Sequence, residues 1–230
     1  MTMVYAHRGA SAAEPENTLA AFAAAVAMGA DGVELDIRRT ADGALAVHHD
    51  AHLTDGRALV AVASSDLPDG VPLLAPALDA CGGVIVNVEV KNFPGDPDHD
   101  GGQAVAEAVA RLVGGRGMHR RVLVSSFDLA AIDRVHQVDP DVPTGYLVLM
   151  AADAGAAGPL VDQTAGGGHS ALHPHHIGVT AGLVQRCADA GLALNTWTVD
   201  DPGRIAELAA LGVDGIVTNV PDVALRALGR

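Results

Sequence analysis

Glu34 and Asp36 stand two residues apart in Gly32-Val33-Glu34-Leu35-Asp36-Ile37, and Glu89 and Lys91 stand two apart in Val84-Ile85-Val86-Asn87-Val88-Glu89-Val90-Lys91. In an extended chain alternate side chains share a face, so each charged pair turns away from the aliphatic residues of its own run. Three carboxylates brought together this way repel. Two like charges about 4 Å apart cost roughly 4 kcal/mol at an effective dielectric near 20. A hard divalent ion relieves that repulsion, and an all-oxygen donor set suits magnesium, calcium or manganese better than zinc or copper. Buried ion pairs are the competing solution: Glu89 with Lys91, and Asp36 with Arg38, which shares its face.

Two histidines end similar short runs, in Tyr5-Ala6-His7-Arg8-Gly9 and in Leu45-Ala46-Val47-His48-His49-Asp50. Imidazoles beside a cation site suit proton transfer. His48 points away from His49 in an extended chain, so only one of them can enter a site. Lys91 is the only lysine, and it lies in an apolar run where a solubilising lysine would be misplaced. His173-Pro174-His175-His176 has no neighbouring carboxylate or cysteine and reads as a loop available to line a pocket.

These residues need a scaffold that aims strand ends at one place. β-branched runs alternate with Ala/Leu segments of helical period, the pattern of a parallel sheet covered by helices. Strands are expected at Val4–His7, Gly32–Arg38, Val84–Lys91, Val122–Phe127, Thr144–Leu149, Ser170–Leu172, Ala193–Val199 and Gly215–Thr218, with an extended piece at Ala44–His49. The first helix starts at a cap on Asn17, shares Leu19, Phe22 and Val26 along one face and ends at Gly29. Gln103–Val113, Leu129–Gln137, Ala181–Ala190 and Arg204–Leu211 read as further helices. Eight strands in 230 residues fit a single-domain (β/α)8 TIM barrel over residues 1–230, with a doubly wound sheet as the alternative. His52–Pro72 and Pro94–Gly102 read as loops at the active-site end, and Gly166–Gly168 as a flexible loop.

A net charge of −14 argues against nucleic acid or an anionic membrane as the main partner, because both demand a basic face. Hydrophobic residues are 49% of the chain but aromatics only 3%, so the core must be built from Ala, Val and Leu. Met1–Ala10 lacks the charged and apolar regions of a signal peptide, and no strongly apolar run is long enough for a membrane span. A soluble cytoplasmic protein is expected, without stable membrane insertion. Cys81 and Cys187, far apart and without metal-type spacing, read as free thiols.

Seven pieces in order, His7-Arg8-Gly9, Glu16-Asn17-Thr18, Glu34-Leu35-Asp36, Thr40-Ala41-Asp42-Gly43, His49-Asp50, Glu89-Val90-Lys91 and Trp197-Thr198-Val199, resemble the glycerophosphodiester phosphodiesterase family. The resemblance runs from His7 to Asn219. It implies that His7 and His49 form a general acid and base pair, that Glu34, Asp36 and Glu89 bind a divalent cation, Mg2+ or Ca2+, and that Arg8 and Lys91 contact phosphate. Trp197 would wall the glycerol, and Glu16 and Asn17 would support the site. The implied reaction turns a small-molecule glycerophosphodiester into glycerol 3-phosphate and an alcohol, the substrate's 2-hydroxyl attacking phosphorus and water opening the cyclic phosphate. Alternatives are phospholipase D-like cleavage of a lysophospholipid or sphingolipid headgroup that stops at a cyclic phosphate, and a non-catalytic phosphate-binding barrel. The chain departs from the family in a short insertion after His49-Asp50, with Arg57 as the one candidate for an arginine that relatives often carry there.

Overall fold

A computed structural model of the chain describes residues 1–149 and 154–230. The strands are β1 Met3–His7, β2 Gly32–Arg39, β3 Leu45–Val47, β4 Ile85–Val90, β5 Val122–Ser126, β6 Thr144–Val148, β7 Ala171–Pro174, β8 Ala193–Thr196 and β9 Gly215–Thr218. All but β3 pair in parallel, each with its neighbours, and the β1–β9 and β1–β2 pairings close the sheet into a (β/α)8 TIM barrel. The short β3 lies antiparallel on β2 outside the closed ring. Among the described residues, eight α-helices cover the barrel: α1 Leu19–Ala27, α2 Leu74–Ala80, α3 Ala104–Gly115, α4 Leu129–Val138, α5 Ala154–Gly166, α6 Ala181–Asp189, α7 Pro202–Leu211 and α8 Pro221–Ala227.

The alternation expected from sequence holds on β2 and β4. Val33, Leu35, Ile37, Val86, Val88 and Val90 pack outward with Phe22, Ala25, Ala77, Leu78 and Val109 in one apolar layer between sheet and helices. A second layer under α5 to α8 contains Leu172, Leu194, Ile205, Leu208 and Ile216. Small residues let these helices lie close, which is how a chain with few aromatics fills its core. Among the described residues no helix is long and apolar enough to cross a membrane, and both cysteines are free and buried.

Five expectations are corrected. Thr18, not Asn17, caps α1 by accepting from the Ala21 N–H, while Asn17 adopts a left-handed φ of 57° and turns its amide into the barrel. The buried face of α1 is Ala21, Phe22 and Ala25; Leu19 is 41% exposed. His52–Pro72 is not wholly irregular, since 3-10 turns at Leu59–Ala61 and Ser64–Asp66 fold over a small core of Ala46, Leu53, Leu59 and Val62. His173 and Pro174 belong to β7 rather than to a loop, and Gly166 ends α5.

Candidate active site

Parallel register gathers the chemistry. On β1 and β2, His7 pairs with Glu34; on β2 and β4, Asp36 pairs with Glu89 and Glu34 with Asn87. Glu34, Asp36 and Glu89 are buried, and one oxygen from each lies within 4.8 Å of the others. Such a spread suits a six- to eight-coordinate cation bound by carboxylates together with water. Glu34 Oε2 accepts from the Arg8 main-chain N–H at 3.0 Å, whereas its Oε1 is buried with no hydrogen-bond partner. A buried carboxylate oxygen without a donor is what a missing cation would leave behind. Burial, with Asp36 and Glu89 nearby, pushes Glu34 well above the usual carboxylate range, and burial likewise raises Glu89. The three donors therefore fit a divalent metal, whose charge would restore the ionised forms.

The two cations of the site lie among these carboxylates. Lys91 Nζ is 2.9 Å from Asp36 Oδ1 and also bonds Glu89; burial would lower it, but these two carboxylates hold it charged. Arg8 Nε is 3.3 Å from Asp36, and its Nη1 donates to Glu16 at 2.8 Å. Asp36 stays ionised: burial opposes this, but Lys91 and Arg8 outweigh it. Asn17 clasps Asp36, its amide donating to Oδ2 at 2.8 Å and its carbonyl accepting from the Asp36 N–H at 3.3 Å. Arg38 does not join them. The Asp36–Arg38 pair considered from sequence is replaced by pairs from Arg38 to Asp98 and Asp96.

Arg8 reaches its place through a left-handed φ of 57°, followed by Gly9 at 83°. A Cβ on Gly9 would sit 2.6 Å from the main chain of Ala21, so only glycine fits where this turn meets α1. The strain at Arg8 is what aims its N–H at Glu34 and its side chain at Asp36.

The histidines are oriented differently. Asp200 accepts from the Asn219 amide nitrogen at 2.7 Å, so Asn219 Oδ1 faces His7 Nδ1, 2.7 Å away, as an acceptor. His7 Nδ1 therefore carries the hydrogen, and Nε2 is left as a lone pair 4.0 Å from Glu34. Burial lowers the His7 pKa, which favours this neutral form. His49 Nδ1 lies 2.7 Å from the carboxylate of Asp50; burial lowers its pKa too, with Asp36 and Asp50 acting against that.

His7, Arg8, Glu34, His49, Glu89, Lys91 and Trp197 all line one cavity of about 140 Å³. Trp197 lies just past β8, donates Nε1–H to the His173 carbonyl at 2.9 Å and meets Phe127 edge-on at 5.4 Å. Of the ten residues singled out from sequence, seven form the cavity wall, while Asp36, Asn17 and Glu16 brace it from behind. Arg57 pairs with Asp55 on the exposed insertion and is not part of the wall.

Sequence reasoning missed Asn219, Asn87 and Phe127; it named the stretch holding His173 as available to line the pocket, which His173 does, though from a strand rather than a loop. Asn219 follows β9 directly, and barrel closure places that strand end beside His7, so the seam itself was the signal. His173 is 1% exposed with Nε2 3.0 Å from the Asn195 amide nitrogen, and burial drops its pKa to about 4.

A profile of the glycerophosphoryl diester phosphodiesterase family matches residues 7–223. A glycerophosphodiester phosphodiesterase of Caldanaerobacter subterraneus is 29% identical over 253 residues, covering 100% of this chain and 98% of the relative. One from Bacillus altitudinis is 30% identical, covering 98% of each chain. The crystal structure of the Thermotoga maritima glycerophosphodiester phosphodiesterase superposes with a TM-score of 0.81 at 26% identity, covering 100% of this chain and 99% of that one. An Oleispira antarctica phosphodiesterase, solved in complex with its product sn-glycerol-3-phosphate, shares the fold at a TM-score of 0.84 and 22% identity, over 100% of this chain and 98% of that one. By these matches, and with this cavity, the chain belongs to the glycerophosphoryl diester phosphodiesterase family of phosphoric diester hydrolases.

Proposed function

We propose that the chain hydrolyses small glycerophosphodiesters to glycerol 3-phosphate and an alcohol, with Mg2+ or Ca2+ held by Glu34, Asp36 and Glu89. The observation that carries this is the single cavity onto which His7, His49, Arg8, Lys91 and two of the carboxylates open. When bound, the metal would polarise a phosphoryl oxygen and neutralise charge developing at phosphorus. With a divalent ion the five charged side chains come to one net positive charge, complementary to a monoanionic diester.

Arg8 and Lys91 hold the phosphate, their positions fixed by Glu16, Asp36 and Glu89. His7, neutral with a free Nε2, takes the proton from the glycerol 2-hydroxyl as its oxygen bonds phosphorus. His49, whose imidazolium is stabilised by Asp50, gives its proton to the alcohol oxygen as that P–O bond breaks. Water then opens the cyclic phosphate with the roles reversed: His49 takes a proton from the water and His7 returns one to the 2-oxygen. Both histidines finish in their starting states. Trp197 and Phe127 supply an apolar wall against the glycerol carbons. The Oleispira protein's bound product is the one assigned to this reaction.

Phosphorus NMR of glycerophosphocholine turnover tests the reading. Metal-stripped protein is expected to be inert until Mg2+ or Ca2+ is added, and then to yield glycerol 3-phosphate. Accumulation of a cyclic phosphate as end product would replace hydrolysis by transfer, and ligand binding without any turnover would make the barrel non-catalytic.

A further inference from the structure

Arg38 is a buried charge on the metal-binding strand that the chemistry above does not use. Its side chain is 4% exposed, and it is absent from the lining of the reaction cavity. Its guanidinium reaches in three directions. Nε donates to the main-chain carbonyl of His49 at 2.7 Å, Nη1 donates to both carboxylate oxygens of Asp98 at 2.7 and 2.9 Å, and Nη2 donates to Asp96 at 2.8 Å. Asp98 is also buried, so the fork pairs two desolvated groups, and removing one partner strands the other.

This junction matters because of where His49 sits. His49 is outside the barrel, two residues past β3, and its side chain is 36% exposed. The partner of its ring, Asp50, is 75% exposed, and exposed ion pairs hold little. What fixes His49 is its main chain: the preceding His48 N–H donates to the Asp36 carbonyl at 3.0 Å, and Arg38 takes the His49 carbonyl. Both anchors come from β2, the strand that supplies Glu34 and Asp36.

We propose that Arg38 is a positioning residue for the reaction: with its charge answered by Asp98 and Asp96, it locks the His49 main chain to β2 and so sets the imidazole against the leaving oxygen. Only a planar fork with an Nε donor serves all three directions; an ammonium at this place satisfies one or two. The inference rests on the acid role given to His49 above.

The test compares two diesters of glycerol 3-phosphate. The choline diester needs a proton on its leaving oxygen, and the p-nitrophenyl diester departs as a stable anion. Both kcat and KM are measured for wild type, H49A, R38K and D96N, with folding checked by circular dichroism. H49A is expected to lose far more on choline than on p-nitrophenol in kcat/KM for alcohol release, which is complete before the ring opening in which His49 acts as base. R38K is expected to show the same selectivity, kcat on the choline diester falling about 10- to 10²-fold with little change in KM, as for a catalytic group displaced by about an ångström. D96N, which removes the negative charge facing one arm of the fork and leaves the buried Asp98 pair in place, is expected to show the same selective loss at smaller size, and it carries the test if R38K does not fold. Equal losses on both diesters in R38K or D96N, with H49A still selective, would overturn the positioning role alone. A non-selective H49A would instead remove the acid assignment on which the role depends.

Discussion

The His7 corner and the His49 corner face one cavity but are built in opposite ways. His7 ends a barrel strand, and its ring is held by an amide that is itself held by Asp200 and Ser11, so its side chain is 20% exposed. His49 stands on a loop with a carboxylate partner near solvent. An amide acceptor fixes a tautomer without adding charge, which suits a group that must stay neutral until it takes a proton. A carboxylate stabilises the imidazolium, which suits a group that must arrive with one. The difference teaches that orientation is set locally at each corner, while burial and the charged cluster between the corners act on the protonation of both.

The shared part should give the largest effect. E34Q, which takes an ionised oxygen from the cluster and leaves only a neutral amide oxygen to accept from the Arg8 main-chain N–H, is expected to lower kcat at least about 10³-fold, the several kcal/mol that a metal supplies at phosphorus. Titration calorimetry with Mg2+ and Ca2+ should show weakened metal binding in the same variant. Next come the corners themselves: H7A and H49A are each expected to cost about 10² to 10⁴ in kcat on glycerophosphocholine. Turnover within tenfold of wild type in both would remove the pair from the chemistry.

Third, the partners should separate the corners. N219A frees the His7 ring inside the barrel and is expected to lower kcat about 10- to 10²-fold. D50A removes only an exposed pair, worth at most about 1 kcal/mol, and should cost about fivefold or less. Steady-state assays reversing that order would mean that the exposed corner carries the tighter geometry.

The smallest effect concerns stability. His173 has a folded pKa of about 4 against 6.5 in its ordinary state, so between these values the unfolded chain binds more protons. Stability from this group is full above about pH 6.5 and falls as pH drops toward 4. Denaturant melts of wild type and H173Q should differ in their pH dependence by about 2 kcal/mol between pH 7 and pH 5. Parallel curves would mean that His173 is not kept neutral by burial.

Much of this was legible in sequence because period two carries direct spatial meaning. Val33, Leu35 and Ile37 against Glu34 and Asp36 state which face of β2 is which, and the same holds for Val86, Val88 and Val90 against Glu89 and Lys91. Contacts between distant segments were not legible. His7 and Asn219 are 212 positions apart and meet only because the barrel closes, and Arg38 finds Asp98 sixty positions on, in a stretch whose Asp, Gly and Pro content says loop and no more. Asn17 and Thr18 are both good caps by type, and the left-handed turn at Asn17 decides between them. His173 read as a loop residue because the strand expected at Ser170–Leu172 stops before it, whereas the strand runs on to Pro174.

The most direct measurement is the ratio of kcat/KM for the choline and p-nitrophenyl diesters of glycerol 3-phosphate in H7A beside H49A, each loaded with the same divalent metal. The expected result is that p-nitrophenol restores most of the activity lost in H49A and little of that lost in H7A, since only the acid becomes dispensable when the leaving group needs no proton. Restoration in H7A instead, or equal losses on both diesters in both variants, would rule out the division of labour between the two corners.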